Sequence, residues 1–256
     1  MLTSGTGDLV TAIIRVYKDR RFLEESLSSA GNQAGAAVEI LVVDGGPEDG
    51  SGDIARTGKD VRIIRRKNGD LGAALNAGIE EARGKFIAFL DADDIWHPDK
   101  TARQLAALKA GPKADGVLCR FRNFLDSRYP PPAGLDIKRF LEEKTGSMPS
   151  LITLLATRET VARIGPFRSD LASGEDLDWF ARAADLGVVF ARMPEVLVER
   201  RLHDGNLSYH ATKDLGFLLE IMRASIERKR ASGRDGRQGG MKMDASRRKE
   251  GTEERD

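Results

Sequence analysis

Three carboxylates stand within four residues in the run Asp91-Ala92-Asp93-Asp94, directly after the apolar stretch Phe86-Ile87-Ala88-Phe89-Leu90. Acids crowded at the end of a buried strand repel one another unless a cation or solvent compensates. Hard oxygen ligands suit Mg²⁺ or Mn²⁺, ions that can hold a diphosphate and offset the charge it gains as it leaves. The bland reading of the same run is an acidic, helix-capping surface loop. Glu175-Asp176, with Asp178 close behind, offers a carboxylate to take a proton from an attacking hydroxyl. Acids at a helix start are also simply favoured by the macrodipole, which is expected to lower their pKa and weaken them as bases. His203 can ligate a metal, Mn²⁺ more readily than Mg²⁺, or serve as a structural hydrogen-bonding residue. Asp44, after the buried-strand pattern Val38 to Val43, can accept a hydrogen bond from a ligand or cap its own turn. Trp179 can offer a ring face to a ligand or fill the core beside Phe180. Arg65, Arg66 and Lys67 can neutralise phosphate or line a solvated strand edge.

Periodicity indicates which elements must hold these groups. Val10 to Val16 reads as a strand buried on both faces, and Asp19 to Ala30 places Leu23, Leu27 and Ala30 at helical spacing. Val38 to Val43 is a second strand, with Asp49 or Ser51 available to cap a short helix after the Asp44-Gly45-Gly46-Pro47 turn. Val61 to Ile64 is a third, Asp70 to Ala82 a helix closed by Gly84, and Lys85 to Leu90 a fourth strand running into Asp91. Beyond it the pattern predicts a helix over Pro98 to Ala110, a strand over Gly116 to Phe124 and a loop at Tyr129-Pro130-Pro131-Pro132. A strand over Leu151 to Thr157, helices over Arg158 to Ile164 and Asp176 to Leu186, and a strand over Val196 to Leu202 complete the regular part. This βαβαβαβ rhythm predicts an α/β, Rossmann-like, mostly parallel sheet with helices on both faces, which binds ligands beyond the carboxyl ends of its strands. Asp44 and Asp91 both fall at such ends.

The chain has 256 residues, enough for one continuous α/β core, and 41 basic against 40 acidic residues. A net charge of +1 selects neither nucleic acid nor a membrane as partner. One cysteine, Cys119, excludes an internal disulfide and a multi-cysteine zinc site, and points to a cytoplasmic, reducing setting. The first residues lack a signal-peptide pattern, and no apolar run is long enough for a membrane span, so membrane contact is expected only at the periphery, at the inner face. The organisation expected is a short segment over 1–9, one catalytic domain over 10–210, an amphipathic helix within 211–231 carrying Leu215, Leu218, Leu219, Met222 and Ile226, and a charged, disordered tail over 232–256.

The segment Ile87 to Lys100 resembles the donor-site segment of family 2 glycosyltransferases of the GT-A fold. Val43-Asp44-Gly45-Gly46 with Asp49-Gly50-Ser51 resembles that family's second-strand turn, and Asn76-Ala77-Gly78-Ile79 with Ala82-Arg83-Gly84 its following helix. Gly174-Glu175-Asp176-Leu177-Asp178-Trp179 resembles its acceptor-side acidic motif, and Arg201-Leu202-His203-Asp204-Gly205-Asn206-Leu207-Ser208 a late histidine segment. The likeness runs in order from Thr11 to Ser208. It implies a GT-A domain with an acceptor-side extension and a C-terminal helix, a nucleotide-sugar donor and a Mn²⁺ or Mg²⁺ ion. Asp44 would meet the base, with UDP the default and dTDP or GDP the alternatives. Asp91, Ala92 and Asp93 would hold ribose, metal and diphosphate, with Asp93 and His203 as metal ligands. Val16, Tyr17, Arg66 and Asn76 would complete the donor site, Asp176 would be the base with Glu175 as substitute, and Trp179 would meet the acceptor. The acceptor itself, a glycan, lipid, peptide or small molecule, has no readable code. The chain departs from the family's usual residues at Arg15 (proline), Lys18 (asparagine), Pro47-Glu48 (Ser-Thr) and Leu75 (arginine).

Two competing readings make distinct demands. A nucleotidyltransferase would carry a glycine-rich phosphate loop after its first strand, and Arg15-Val16-Tyr17-Lys18-Asp19-Arg20-Arg21 contains no glycine. A catalytically silent nucleotide-binding or scaffold protein would have no use for both acidic pairs, Asp91-Asp93 and Glu175-Asp176.

Overall fold

A computed structural model describes residues 8–231, apart from 18–19, 47–49, 58–59, 67–69, 112, 132–136, 143–148, 172 and 207–215. Lys18, Asp19, Pro47, Glu48, Asp49, Lys67, Leu207, Ser208, Leu215 and the tail from 232 therefore lie outside the described residues, as does most of the 1–9 segment.

Among the described residues, eight strands form one sheet: β1 (Val10–Val16), β2 (Val38–Asp44), β3 (Val61–Arg65), β4 (Phe86–Asp91), β5 (Ile95–Trp96), β6 (Gly116–Leu125), β7 (Leu154–Thr157) and β8 (Phe190–Leu202), in the order β3-β2-β1-β4-β7-β6-β8-β5. β3, β2, β1 and β4 are parallel. The other half is mixed: β7 runs antiparallel to β4 and β6, β6 and β8 are parallel, and β5 is antiparallel to β8. The helices are α1 (Leu23–Gly31), α2 (Ser51–Thr57), α3 (Leu71–Glu81), α4 (Lys100–Ala110), α5 (Ile137–Glu142), α6 (Arg158–Ile164), α7 (Glu175–Asp185) and α8 (Gly216–Ala231).

The central strands are apolar at consecutive positions because both faces are covered. Ala12 and Ile14 of β1 join a core with Leu23 and Leu27 of α1 and Leu105 of α4. Ile13, between them, faces the other core, with Leu75 of α3, Val161 of α6 and Trp179 of α7. Asp70 caps α3 by accepting the Ala73 N–H at 3.0 Å. Gly84 is required by space: a Cβ there would lie 2.6 Å from the Leu9 carbonyl oxygen and from the Thr11 nitrogen.

Several boundaries differ from the sequence expectation. α1 begins at Leu23 because the preceding residues turn, with Leu23 N–H on the Arg20 carbonyl, and bury Phe22. α4 begins at Lys100 after a turn in which the Lys100 N–H reaches the His97 carbonyl. Leu151–Thr153 is a 3₁₀ turn before β7, held by the Thr153 hydroxyl and amide on the Ser150 carbonyl, a local hydroxyl bond that competes with extension. β8 starts six residues earlier than Val196, and β5, two residues long, is too short to leave a periodic signal.

Candidate active site

The parallel half of the sheet delivers three chain ends to one edge. Arg15 lies in register with Asp91 across β1 and β4, and Val16 with Asp44 across β1 and β2. After β4 the chain turns at once: the Ala92 N–H donates to the Arg15 carbonyl and the Asp94 N–H to the Asp91 carbonyl. β5 then pins the outgoing chain to β8. That turn brings Asp91, Asp93 and Asp94 together, with one ligand oxygen of each within 4.8 Å of the others. Asp94 is buried and accepts the Arg201 N–H at 3.0 Å. Burial holds its carboxyl well above the usual range, and the charges of Asp93 and Asp91 add to the rise. Burial also raises Asp91; Arg15 pulls it down and Asp93 pushes it up. Burial and like charge thus oppose ionisation together, and a divalent cation would relieve both.

Asp93 is oriented by the residues that follow β8. Its Oδ2 meets His203 Nε2 at 3.0 Å and accepts from Asn206 Nδ2 at 3.1 Å. The Gly205 N–H donates to His203 Nδ1, which makes Nδ1 the acceptor nitrogen and leaves Nε2–H to donate to Asp93. The His203 N–H in turn donates to Asn206 Oδ1 at 2.8 Å. Beneath them lies Arg201, 1% exposed, whose Nε–H donates to the Asp93 carbonyl and whose guanidinium pairs with Asp126 and Glu25. Arg128 closes the network by pairing with the same two acids, and Phe22 and Phe124 flank the Arg201 guanidinium at 4.5 and 4.8 Å. A cleft lined by Arg15, Tyr17, Asp93, Arg200, His203 and Asn206 opens above this floor.

A smaller pocket adjoins the cleft and is lined by Leu75, Phe89, Ser150 to Ile152, Glu175 and Asp176. Arg15 and Asp91 line both. α7 enters through Gly174, whose φ of +81° a side chain would strain. Glu175 then pairs with Arg15 at 2.6 Å, and Arg15 reaches Asp91 with its other nitrogen at 2.9 Å. Asp176 Oδ1 accepts the N–H of Leu177 at 2.8 Å. Burial, followed by the Glu175 charge, raises Asp176 to about 6 against the pull of Arg15. Against the expectation that the helix N-terminus lowers this carboxyl, desolvation and the like charge of Glu175 raise it.

Residues 11–162, more than half of the chain, match the family model for glycosyl transferase family 2. The chain belongs to that family. Among curated relatives, the uncharacterized glycosyltransferase RP339 of Rickettsia prowazekii is 29% identical over 237 residues, covering 85% of this chain and 74% of that one. EpsH of Bacillus subtilis is 37% identical over 116 residues, 44% of this chain and only 33% of EpsH. Among solved structures, S. aureus TarS 1–349 in complex with UDP-GlcNAc superposes with a TM-score of 0.67 at 19% identity, covering 86% of this chain and 66% of that one. The Pyrobaculum calidifontis mannosyltransferase PcManGT, in complex with GDP-Man and Mn²⁺, gives 0.60 at 22% identity, covering 89% and 64%. These likenesses establish the GT-A fold.

Within this family 2 domain the anticipated site residues separate into those that meet and those that do not. Tyr17, Asp91, Ala92, Asp93 and His203 line one cleft, and Glu175 and Asp176 line the pocket beside it. Val16 is buried, and its carbonyl accepts the Gly45 N–H. Asp44 is 2% exposed, and its Oδ1 accepts the Gly46 N–H at 3.1 Å, so turn capping occupies one of its oxygens. The Arg66 N–H donates to the Asp44 carbonyl while the residue itself stands exposed. Two expectations are corrected. Trp179 is fully buried, stacked against Phe167 and Phe190 with its Nε1–H on the Gly165 carbonyl, so it has no face for an acceptor sugar. Asn76 spends its amide on the backbone of Phe167, donating to the carbonyl and accepting from the N–H at 2.8 Å each. Asp178 acts as the orienting acid: it pairs with Arg182, which donates to the Ile164 and Pro166 carbonyls. Arg15, Asn206 and the Arg201 network were not singled out from sequence as site residues. For Asn206, the three-residue spacing from His203 was a readable turn signal.

Proposed function

We propose that this family 2 glycosyltransferase moves a sugar from a nucleoside-diphosphate sugar, by default a UDP-sugar, to a hydroxyl group with inversion in a single displacement. The observation that carries the reading is the juxtaposition of two acidic clusters, Asp91-Asp93-Asp94 in the larger cleft and Glu175-Asp176 in the pocket that adjoins it. Asp176 accepts the proton of the attacking hydroxyl. The oxygen forms its bond to the anomeric carbon as the bond from that carbon to the diphosphate breaks, and the electron pair leaves with the nucleoside diphosphate. Two carboxylates serving one base role would repel each other, and Arg15 offsets Glu175.

The cluster of Asp91, Asp93 and Asp94 fits a Mn²⁺ or Mg²⁺ ion: Asp93, supported by Asp91 and with His203 beside it, would hold the ion, which would supply charge that stabilises the departing diphosphate. His203 would have to give up the Nε2–H it now directs at Asp93 in order to ligate. The ligands named for TarS and PcManGT, UDP-GlcNAc in one and GDP-Man with Mn²⁺ in the other, support a nucleotide-sugar donor. The acceptor class spans glycans, lipids, peptides and small molecules. Among the described residues no helix is long and apolar enough to cross a membrane, and α8 offers a peripheral contact.

Calorimetry with UDP, dTDP and GDP, with and without Mn²⁺, tests this. Metal-dependent binding of one nucleotide should be weakened by more than about tenfold in Asp93→Ala and kept in Asp176→Ala. If the folded wild-type protein binds none of the three, the donor reading fails in favour of a silent scaffold.

A further inference from the structure

Arg15 stands where the two halves of the site meet, at a position the family usually fills with proline. Its guanidinium lines both the larger cleft and the pocket of Glu175 and Asp176. One nitrogen holds Glu175 of α7 at 2.6 Å and the other holds Asp91 of β4 at 2.9 Å, with the Arg15 side chain 20% and the Glu175 side chain 7% exposed. A planar fork with fixed donors suits this double engagement in a way that a lysine ammonium does not. Among the described residues, the partner of the Asp176 carboxylate is the Leu177 amide, so Asp176 stays outside the fork.

We propose that Arg15 is a positioning residue for the transfer step: by engaging Glu175 and Asp91 it leaves Asp176 as the carboxylate free to take the acceptor's proton, and it sets the span between that base and the leaving group. The role rests on the transferase reading above. It assigns the proton to Asp176 rather than to Glu175, although the two acids are consecutive. The charged groups facing Asp176 are Glu175 on its own helix, Arg15 from β1 and Asp91 from β4. Without the Arg15 guanidinium, the negative charges of Glu175 and Asp91 stand beside Asp176 uncompensated, and its ionisation moves to higher pH. Removing the Glu175 charge at the same time relieves the strain.

The test is an NMR titration of the Asp176 carboxyl carbon in the full chain, free of nucleotide and metal, in wild type, Arg15→Met, Arg15→Lys and Arg15→Met with Glu175→Gln. The midpoint should lie near 6 in the wild type, higher in Arg15→Met, and back toward the wild type in Arg15→Lys and in the double variant. A folded Arg15→Met with an unchanged midpoint, or a double variant indistinguishable from Arg15→Met, overturns the proposal. Should Arg15→Met fail to fold, Glu175→Gln alone decides: the midpoint must fall, and a constant value sinks the coupling. Calorimetry of UDP with Mn²⁺ on the wild type reads the donor site separately, so a failed transferase reading is distinguished from a failed role for Arg15.

Discussion

Asp176 combines a demand of chemistry with a cost in stability. A carboxyl ionising at about 6 is better matched to proton transfer near neutrality than an ordinary aspartate would be. Only the ionised form accepts a proton, so turnover should fall as pH drops through that value. The same rise acts on folding. Because the folded-state value exceeds the ordinary 3.8, the protonated form fits the folded protein better. Its stabilisation is full below the unfolded value and lost as pH rises through about 6. Asp176→Asn is therefore expected to be more stable than the wild type at about pH 7.5, by on the order of 2 kcal/mol after allowance for partial exposure, with the difference closing by about pH 4. Its turnover should drop roughly 10²- to 10⁴-fold. Thermal unfolding at both pH values and initial rates check this, and a variant less stable near neutrality would contradict the raised carboxyl.

At the level of elements, the acceptor side depends on how the connection to α7 is tied to the sheet. Asn76 on α3 clamps the backbone of Phe167, and Arg182 on α7 holds the Ile164 and Pro166 carbonyls with Asp178 behind it. Trp179 then packs into the core next to that connection. Asn76→Ala should cost about 1–3 kcal/mol, since it leaves two backbone groups of Phe167 without their partners. Nucleotide affinity should stay at the wild-type level. Chemical denaturation and calorimetry on the same samples separate the two quantities; lost affinity at unchanged stability would return Asn76 to the donor site.

On the scale of the whole molecule, α7 brings Glu175 and Asp176 to Arg15 and Asp91 at the ends of β1 and β4, and α8 lies against α7. Ile221 is buried there, and Ser225 and Arg228 donate to Asp185. The opposite face presents Leu219, Met222 and Ile226, each about half exposed, near Arg230 in a last turn whose Arg228 and Lys229 pair with Asp185. Apolar side chains beside basic ones suit a surface of anionic lipid. The protein should co-sediment with phosphatidylserine-containing vesicles, less so at high salt, and Leu219→Ser with Met222→Ser should weaken the association. Recovery in the supernatant with anionic and neutral vesicles alike would count against peripheral attachment.

What could be read from the amino-acid sequence was what neighbouring residues decide. Consecutive apolar positions in β1, β2 and β4 announce strands covered on both faces, the Asp70 cap and the spacing after it announce α3, and the order of acidic motifs announces the family. The mixed half of the sheet was harder to read, because β7 pairs with strands on either side only after the chain has returned across the molecule. Tertiary structure alone decided which charges meet. Arg15 joins acids 76 and 160 residues away, and Arg201 meets Glu25 from 176 residues off. Burial, too, belongs to the folded whole: it consigns Trp179 to the core and lifts Asp176 against the pull of Arg15. A local pattern encodes hydrogen bonds and faces within an element. The field at a carboxylate is a sum over everything the fold brings near it, and no stretch of sequence contains that sum.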